Sequence, residues 1–152
     1  VIAERLAELG IELPAVATPA GAYVPAVVNG ALVFTAGQIP FVDGALPAAG
    51  KVGDGLVSPE VAKDLARVCA LNALAAVADV LGSLDRVTQI VKLTGFVASA
   101  PGFNGQPGVI NGASEVLGEI FGEAGRHARS AVGVAELPLD APVEVELIVA
   151  FE

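Results

Sequence analysis

The chain has 152 residues, of which 54% are hydrophobic and 16% charged, with 18 glycines, one cysteine and a formal net charge of −9. That length fits one domain, so apolar a chain has ample surface to bury and is not disordered, and acidic charge with scattered bases opposes a nucleic-acid surface. Two uncharged stretches, 13–42 and 93–114, are interrupted by prolines and glycines before they reach the roughly 20 apolar residues of a membrane helix, which leaves the apolar excess to a core or to contacts between subunits.

Residues 2–10 read as a short amphipathic helix, with Ile2, Leu6 and Leu9 on one face and Gly10 as its stop. A proline-rich connector follows. The apolar runs Ala22–Val28 and Ala31–Thr35 flank Asn29-Gly30, a strong hairpin signal because both residues tolerate the positive φ of a tight turn. Residues 43–58, rich in Gly, Pro and Asp, read as a loop. Ser58-Pro59-Glu60 then opens a long helix: a hydroxyl caps free N–H groups, proline fits the first turn, and an acid faces the positive end of the dipole. The spacing carries this helix to about Leu81, with Gly82 as its stop. Its buried stripe is predicted as Val61, Leu65, Val68, Leu71 or Asn72, and Ala75.

Residues 87–98 predict a long strand, and a loop leads to a second helix near Val109–Phe121. Val109, Ala113, Leu117, Ile120 and Phe121 form its inward side, and Gly122 and Gly125 end it. Two further strands, about 128–135 and 143–151, are joined through Leu137-Pro138-Leu139-Asp140. Two helices and a mixed sheet imply a two-layer α+β domain with both helices on one face.

The final strands say something about the other face. Val143, Val145, Leu147, Val149 and Phe151 alternate with Glu144, Glu146, Ile148 and Ala150, and a solvated face would keep the second set polar throughout. In 128–135, Arg129 shares a face with Ala131, Gly133 and Ala135, small residues that let another backbone or a small ligand approach. The expectation is that the second face packs against another subunit. Arg129 and Glu146 are expected on adjacent strands and together on that face.

His127 is the only histidine and Cys69 the only cysteine, so there is no zinc pattern and no second histidine for a Ser-His-Asp triad. No Gly-x-Ser-x-Gly elbow and no Gly-rich phosphate motif occurs. Cys69 reads as a core residue, and His127 as a solvated turn residue beside a strand start. Arg129 and Glu146 admit two readings: a salt bridge at an interface, or a site where the two-pronged guanidinium grips a carboxylate and the acid orients or activates water. A single cysteine and the absence of a charged-then-apolar opening segment imply a cytoplasmic setting.

Ala128-Arg129-Ser130-Ala131-Val132-Gly133-Val134-Ala135-Glu136-Leu137-Pro138, followed by Val143-Glu144-Val145-Glu146, resembles the C-terminal signature of the RidA (YjgF/YER057c/UK114) family. Gly21-Ala22-Tyr23-Val24-Pro25-Ala26-Val27 is similar to its Gly-Pro-Tyr segment, and Thr35-Ala36-Gly37-Gln38-Ile39-Pro40 to its Ser-Gly-Gln-Ile-Pro segment. Asn111 matches the Asn that opens the family's second helix. The resemblance covers roughly residues 17–151. It divides the chain into an N-terminal helix and connector, 1–16, and a RidA-like domain, 17–152.

The resemblance implies a chorismate-mutase-like fold assembled as a homotrimer, with sites between neighbouring subunits. The implied activity is hydrolysis of small reactive 2-imino or enamino acids, such as 2-iminopropanoate and 2-iminobutanoate, to 2-oxo acids and ammonia. Arg129 would bind the substrate carboxylate and Glu146 would hold the attacking water. Tyr23 would shape the pocket, the backbone at Gly37 and Ala131 would touch the substrate, and Asn111 would support the site. No metal or organic cofactor is implied. A non-catalytic trimer that binds small carboxylates is the alternative, and the endoribonuclease label carried by some members suits this acidic chain least. The chain departs from the pattern at His127, where the family usually has Pro, and at Ala131, often Cys. It is lengthened by the N-terminal helix and a Ser99–Gly108 insertion.

Overall fold

The computed structural model describes residues 1–152, which form α1 (Ile2–Glu8), β1 (Ala26–Asn29), β2 (Leu32–Thr35), α2 (Pro59–Leu81), β3 (Val87–Ala98), α3 (Gln106–Phe121), β4 (Ala128–Val134) and β5 (Val143–Phe151). The local signals set most boundaries. Ser58 Oγ accepts the Val61 N–H at 3.1 Å, Pro59 occupies the first turn of α2, and Gly82 ends it in left-handed backbone at φ 85°. Asn29-Gly30 joins β1 to β2, with Gly30 at φ 60°. Two boundaries differ from expectation. β1 begins at Ala26, because Ala20–Tyr23 form bends, and of the residues just before it only the Pro25 carbonyl extends the pairing, accepting the Ala36 N–H at 2.8 Å. α3 begins at Gln106, a turn before Val109, because Pro107 sits in the first turn, where its missing N–H costs nothing.

The five strands form one sheet in the order β1-β2-β5-β3-β4. All neighbours are antiparallel except β3 and β4, which run parallel and are connected across the sheet by α3. The helical layer packs on one face, where Val143, Val145, Leu147 and Val149 of β5 and Ile90, Leu93 and Val97 of β3 are buried. Leu74 and Val77 of α2 and Ile110 and Leu117 of α3 close the core from above. Leu6 of α1 joins the same core, and the Arg5 guanidinium donates from Nε to the Glu119 carbonyl at 2.8 Å.

The stripe of α2 that faces inward is richer in small residues than its spacing suggested. Val61 is 44% exposed, while Ala62, Ala66, Ala70 and Ala73 are buried. The reason is the closeness of α3: a Cβ on Gly112 would lie 2.0 Å from the Lys63 carbonyl oxygen, so the helices cross backbone to backbone. Gly95 does the same for α3 against β3, since a Cβ there would lie 2.6 Å from Ile110.

The opposite face of the sheet has no covering layer within the chain. Its rows are Val27, Phe34, Ile148 and Lys92; then Glu146, Thr94 and Ser130; then Glu144, Phe96 and Val132. Val27, Phe34 and Val132 are 51%, 41% and 44% exposed, so the face is uncovered in the single chain and carries exposed apolar side chains on either side of a polar middle row. The register also corrects the expected placement of two residues. β3 lies between β4 and β5, so Arg129 and Glu146 are not on adjacent strands. Arg129 stands opposite buried Leu93 and projects to the helical side, whereas Glu146 stands opposite Thr94 on the open side. Of the small residues beside Arg129, Gly133 lies close to the Gln106 and Ser99 side chains and Ala135 is exposed. Ala131 touches the core and pairs with Gly95.

Candidate functional site

Two clusters of polar groups emerge, one at each side of the sheet. The first surrounds a cleft of about 230 Å³ between the connector and the segment after β2. Tyr23, Gly37, Gln38, Phe41 and Glu144 are among its walls. Tyr23 is half exposed, and its hydroxyl accepts the Ala20 N–H at 3.2 Å, which holds the connector in a bend over the cleft. Gln38 continues the β2–β5 pairing through backbone bonds to Val145 of 2.8 and 3.0 Å. That anchor brings Gly37 against Glu144: a Cβ on Gly37 would sit 2.7 Å from Glu144 Oε2, so only glycine leaves the carboxylate its position. The floor is fixed from α2, where the buried Asn72 amide donates to the Ile39 and Phe41 carbonyls, each at 3.1 Å.

Glu144 is the acidic group of this cleft, and Glu146 does not line it. Burial raises the Glu144 carboxyl above the ordinary carboxylate range, and the charge of Glu146 on the same face of β5 adds to the shift. The alternation of β5 places both on one face, so the spacing could have nominated Glu144 beside Glu146. Burial alone separates them.

The second cluster is built on the edge strand β4 and on α3. Arg129 Nη1 donates to Asn111 Oδ1 at 2.8 Å and to Ser114 Oγ at 3.1 Å, and Nη2 donates to the Pro107 carbonyl at 3.1 Å. Pro107 and Asn111 lie in the first two turns of α3, so the early start of that helix is what delivers them to the guanidinium. The Nε–H and the second Nη2–H make no hydrogen bond within the chain. Arg5, Lys51, Lys63, Arg67 and Arg126 each pair with a glutamate at 2.7–3.5 Å, and Arg129 belongs to none of these pairs. Its charge is cradled by neutral oxygens and stays uncompensated, which favours an anion at the unbonded edge.

His127 is not a solvated turn residue. Its ring is partly buried and bonded at both nitrogens, Nδ1 to the Gly125 carbonyl at 2.7 Å and Nε2 to Ser114 Oγ at 2.9 Å. The local sequence offered no sign of this, because Ser114 is thirteen residues away on α3. Cys69 is fully buried, with its thiol directed at the Val143 carbonyl, 3.8 Å away. Burial raises it well above the ordinary thiol range, with a smaller contribution from Glu144, and an inert core thiol results.

The structure thus brings Tyr23 and Gly37 together with Glu144, and Arg129 together with Asn111. It keeps the two groups apart, two strands from one another across the sheet.

Comparison with known proteins places these features in a family. The family model described as "YjgF/chorismate_mutase-like, putative endoribonuclease" matches residues 3–151. Protein TCP17 of Trypanosoma cruzi is 46% identical over 149 residues, covering 97% of this chain and 92% of that protein. A crystal structure of a protein of unknown function from Agrobacterium tumefaciens is 44% identical, with a TM-score of 0.91 over 99% of this chain and 92% of that one. E. coli TdcF with bound serine is 29% identical, with a TM-score of 0.66 over 92% of this chain and 94% of that one. No helix of the chain is long and apolar enough to cross a membrane.

Proposed function

The chain belongs to the YjgF/chorismate mutase-like family, and on that premise we propose that it hydrolyses small reactive 2-imino or enamino acids to 2-oxo acids and ammonia. The reaction takes place in sites between the subunits of a cytoplasmic homotrimer. The observation that carries this reading is Arg129: a partly buried guanidinium held by three neutral oxygens, without a carboxylate partner, and with two N–H groups unbonded. A substrate carboxylate fits that edge. Each charge-assisted hydrogen bond it makes is worth about 1.5–3 kcal/mol. TdcF, which carries the amino acid serine in its structure, supports a ligand with a carboxylate beside a nitrogen-bearing carbon.

The remaining roles follow from the chemistry. A protonated imine is already electrophilic, so the protein mainly has to hold the carboxylate and place a water beside the C=N carbon, a matter of proximity and orientation. Glu146 accepts a proton from that water as its oxygen bonds to carbon. The resulting amino alcohol takes that proton from Glu146 on nitrogen, Glu146 then accepts the hydroxyl proton as C=O forms and the C–N bond breaks, and the ammonia carries this proton away as ammonium. Glu144, which lines the cleft, stands two residues from Glu146 on the same face of β5. Tyr23 and the backbone of Gly37 form the wall of the cleft, Ala131 offers its backbone beside Arg129, and Asn111 braces the guanidinium.

Two observations support a site between copies. The cleft and Arg129 lie at separate sides of one sheet, so a second chain is what would bring one cluster against the other. The uncovered face with Val27, Phe34 and Val132 supplies a surface for such an assembly. The family description also carries endoribonuclease, but a net charge of −9 with five of the bases tied to glutamates gives a polyanion little to hold.

An amino-acid oxidase generates the imine in situ while semicarbazide competes for it. The wild-type protein is expected to divert the imine to oxo acid, and Arg129→Ala to lose about 100- to 1,000-fold in kcat/KM. No acceleration of imine loss for any of several side chains overturns the activity; equal rates for Arg129→Ala overturn the carboxylate clamp. A stable monomer in light scattering at micromolar concentration overturns the intersubunit site.

A further inference from the structure

We infer that Ser114 and His127 are positioning residues, a directed hydrogen-bond relay that fixes the Arg129 guanidinium with its unbonded edge presented to a ligand. The inference rests on the reading of Arg129 as an anion clamp and explains how this chain aims it.

The direction of each bond follows from what the atoms can do. The Gly125 carbonyl only accepts, so the His127 Nδ1, 2.7 Å away, carries the proton. In the neutral ring, Nε2 then has a bare lone pair facing Ser114 Oγ at 2.9 Å, and the serine hydroxyl donates to it. A guanidinium only donates, so Ser114 Oγ receives Arg129 Nη1 at 3.1 Å on its own lone pair. The chain therefore runs from Arg129 to Ser114 to His127, with His127 donating in turn to Gly125. A serine within a helix ordinarily turns its hydroxyl back to its own helix backbone. Here it is held by two side chains, and its proton points away from Arg129.

The consequence for Arg129 is geometric. Asn111 Oδ1 and Ser114 Oγ take both protons of Nη1 and the Pro107 carbonyl takes one of Nη2, so rotation about the last torsions is blocked. Without the Ser114–His127 bond, the hydroxyl proton is free to turn elsewhere, and the lone pair that receives the Nη1–H is no longer held in place. Gly125 gives His127 a rigid base, because a Cβ on it would lie 2.4 Å from the Leu117 carbonyl oxygen, so the turn packs tightly against the end of α3.

His127 is the only histidine in the chain, so its ring nitrogens are unambiguous in a long-range ¹⁵N–¹H spectrum. At a pH where the ring is neutral, the spectrum is expected to show the Nδ1–H tautomer, the one free histidine populates less. Ser114→Ala should leave the proton on Nδ1, where Gly125 holds it, and shift the Nε2 resonance toward that of an unbonded lone pair, and Ser114→Thr, which keeps the hydroxyl, should restore it. In calorimetric titration with 2-oxobutanoate, Ser114→Ala and His127→Phe are each expected to weaken binding about five- to tenfold. The double variant should be no weaker than Ser114→Ala alone, since His127 acts through Ser114. A wild-type Nε2–H tautomer, or losses that add in the double variant, overturns the relay. Failure of the clamp reading looks different: the Nδ1–H tautomer persists, but Arg129→Ala binds 2-oxobutanoate as wild type does.

Discussion

Replacing Gly112 by Ala should destabilise the protein, although alanine is the better helix former. The Cβ would lie 2.0 Å from the Lys63 carbonyl oxygen and 2.9 Å from its carbon, both backbone atoms of α2 that no rotamer change can move. An ordinary C···O contact is roughly 3.3 Å, so α2 and α3 must part by about 1 Å at their crossing. A gap of that size forfeits a quarter to a half of the dispersion well for each contact near it, and buried Ala62, Ala66 and Ala113 lie at that interface. Overpacking of this kind costs about 1–3 kcal/mol, with backbone clashes at or above the upper end, while the gain in helix propensity returns about 0.8–1 kcal/mol. The net loss is about 2 kcal/mol, or about 4–8 °C in Tm for a chain of this length. Gly118 provides the control on the same helix. It is exposed and a Cβ there meets nothing within 4 Å, so Gly118→Ala should stabilise by about 0.5–1 kcal/mol. Thermal unfolding of both variants at one fixed protomer concentration tests the contrast. A Gly112→Ala variant as stable as wild type refutes the backbone-to-backbone crossing. It would also remove the reason α3 holds Asn111 and Ser114 where Arg129 meets them.

Three further outcomes are expected. Gly37→Ala places a methyl 2.7 Å from Glu144 Oε2, the mobile end of a side chain, so the carboxylate should swing aside at little cost in stability. Binding of 2-oxobutanoate should fall by about tenfold or more with Tm nearly unchanged, and unaltered affinity would show that this wall does not touch the ligand. Glu144 is held above its unfolded range by burial and then by Glu146, so the folded chain binds its proton more tightly than the unfolded chain. Its contribution to stability is present below about pH 4 and lost as pH rises through the folded value. Glu144→Gln should therefore match wild type near about pH 4 and exceed it near about pH 8 in urea midpoints, and the opposite order would refute the assigned shift. Cys69, fully buried with its thiol kept protonated, should react with a thiol reagent only as the protein opens. Rapid labelling of the native protein would contradict its place in the core.

Much of this protein was legible along the chain because some signals act within a single turn. Ser58-Pro59 capped α2, Asn29-Gly30 turned the hairpin and Gly82 stopped the helix, each through its own backbone or side-chain chemistry. The alternation of 143–151 separated a buried face from one that mixes Glu144 and Glu146 with Ile148 and Ala150, and the resemblance in 128–146 led to the family. Pairing was another matter. A strand repeats every two residues, so its pattern gives two faces without saying which is which. Opposite Leu93, Arg129 went to the helical side, and opposite Thr94, Glu146 went to the open one. The β3–β4 crossover put a strand between them that no local signal announces. Glu144 was set apart from Glu146 by its burial in the cleft beside Gly37, and His127 was drawn out of solvent by a serine on another element together with the Gly125 carbonyl. Residue chemistry and short-range geometry were written in the sequence, while the face, the depth and the partners of each charged group depended on long-range packing that only the folded chain fixes.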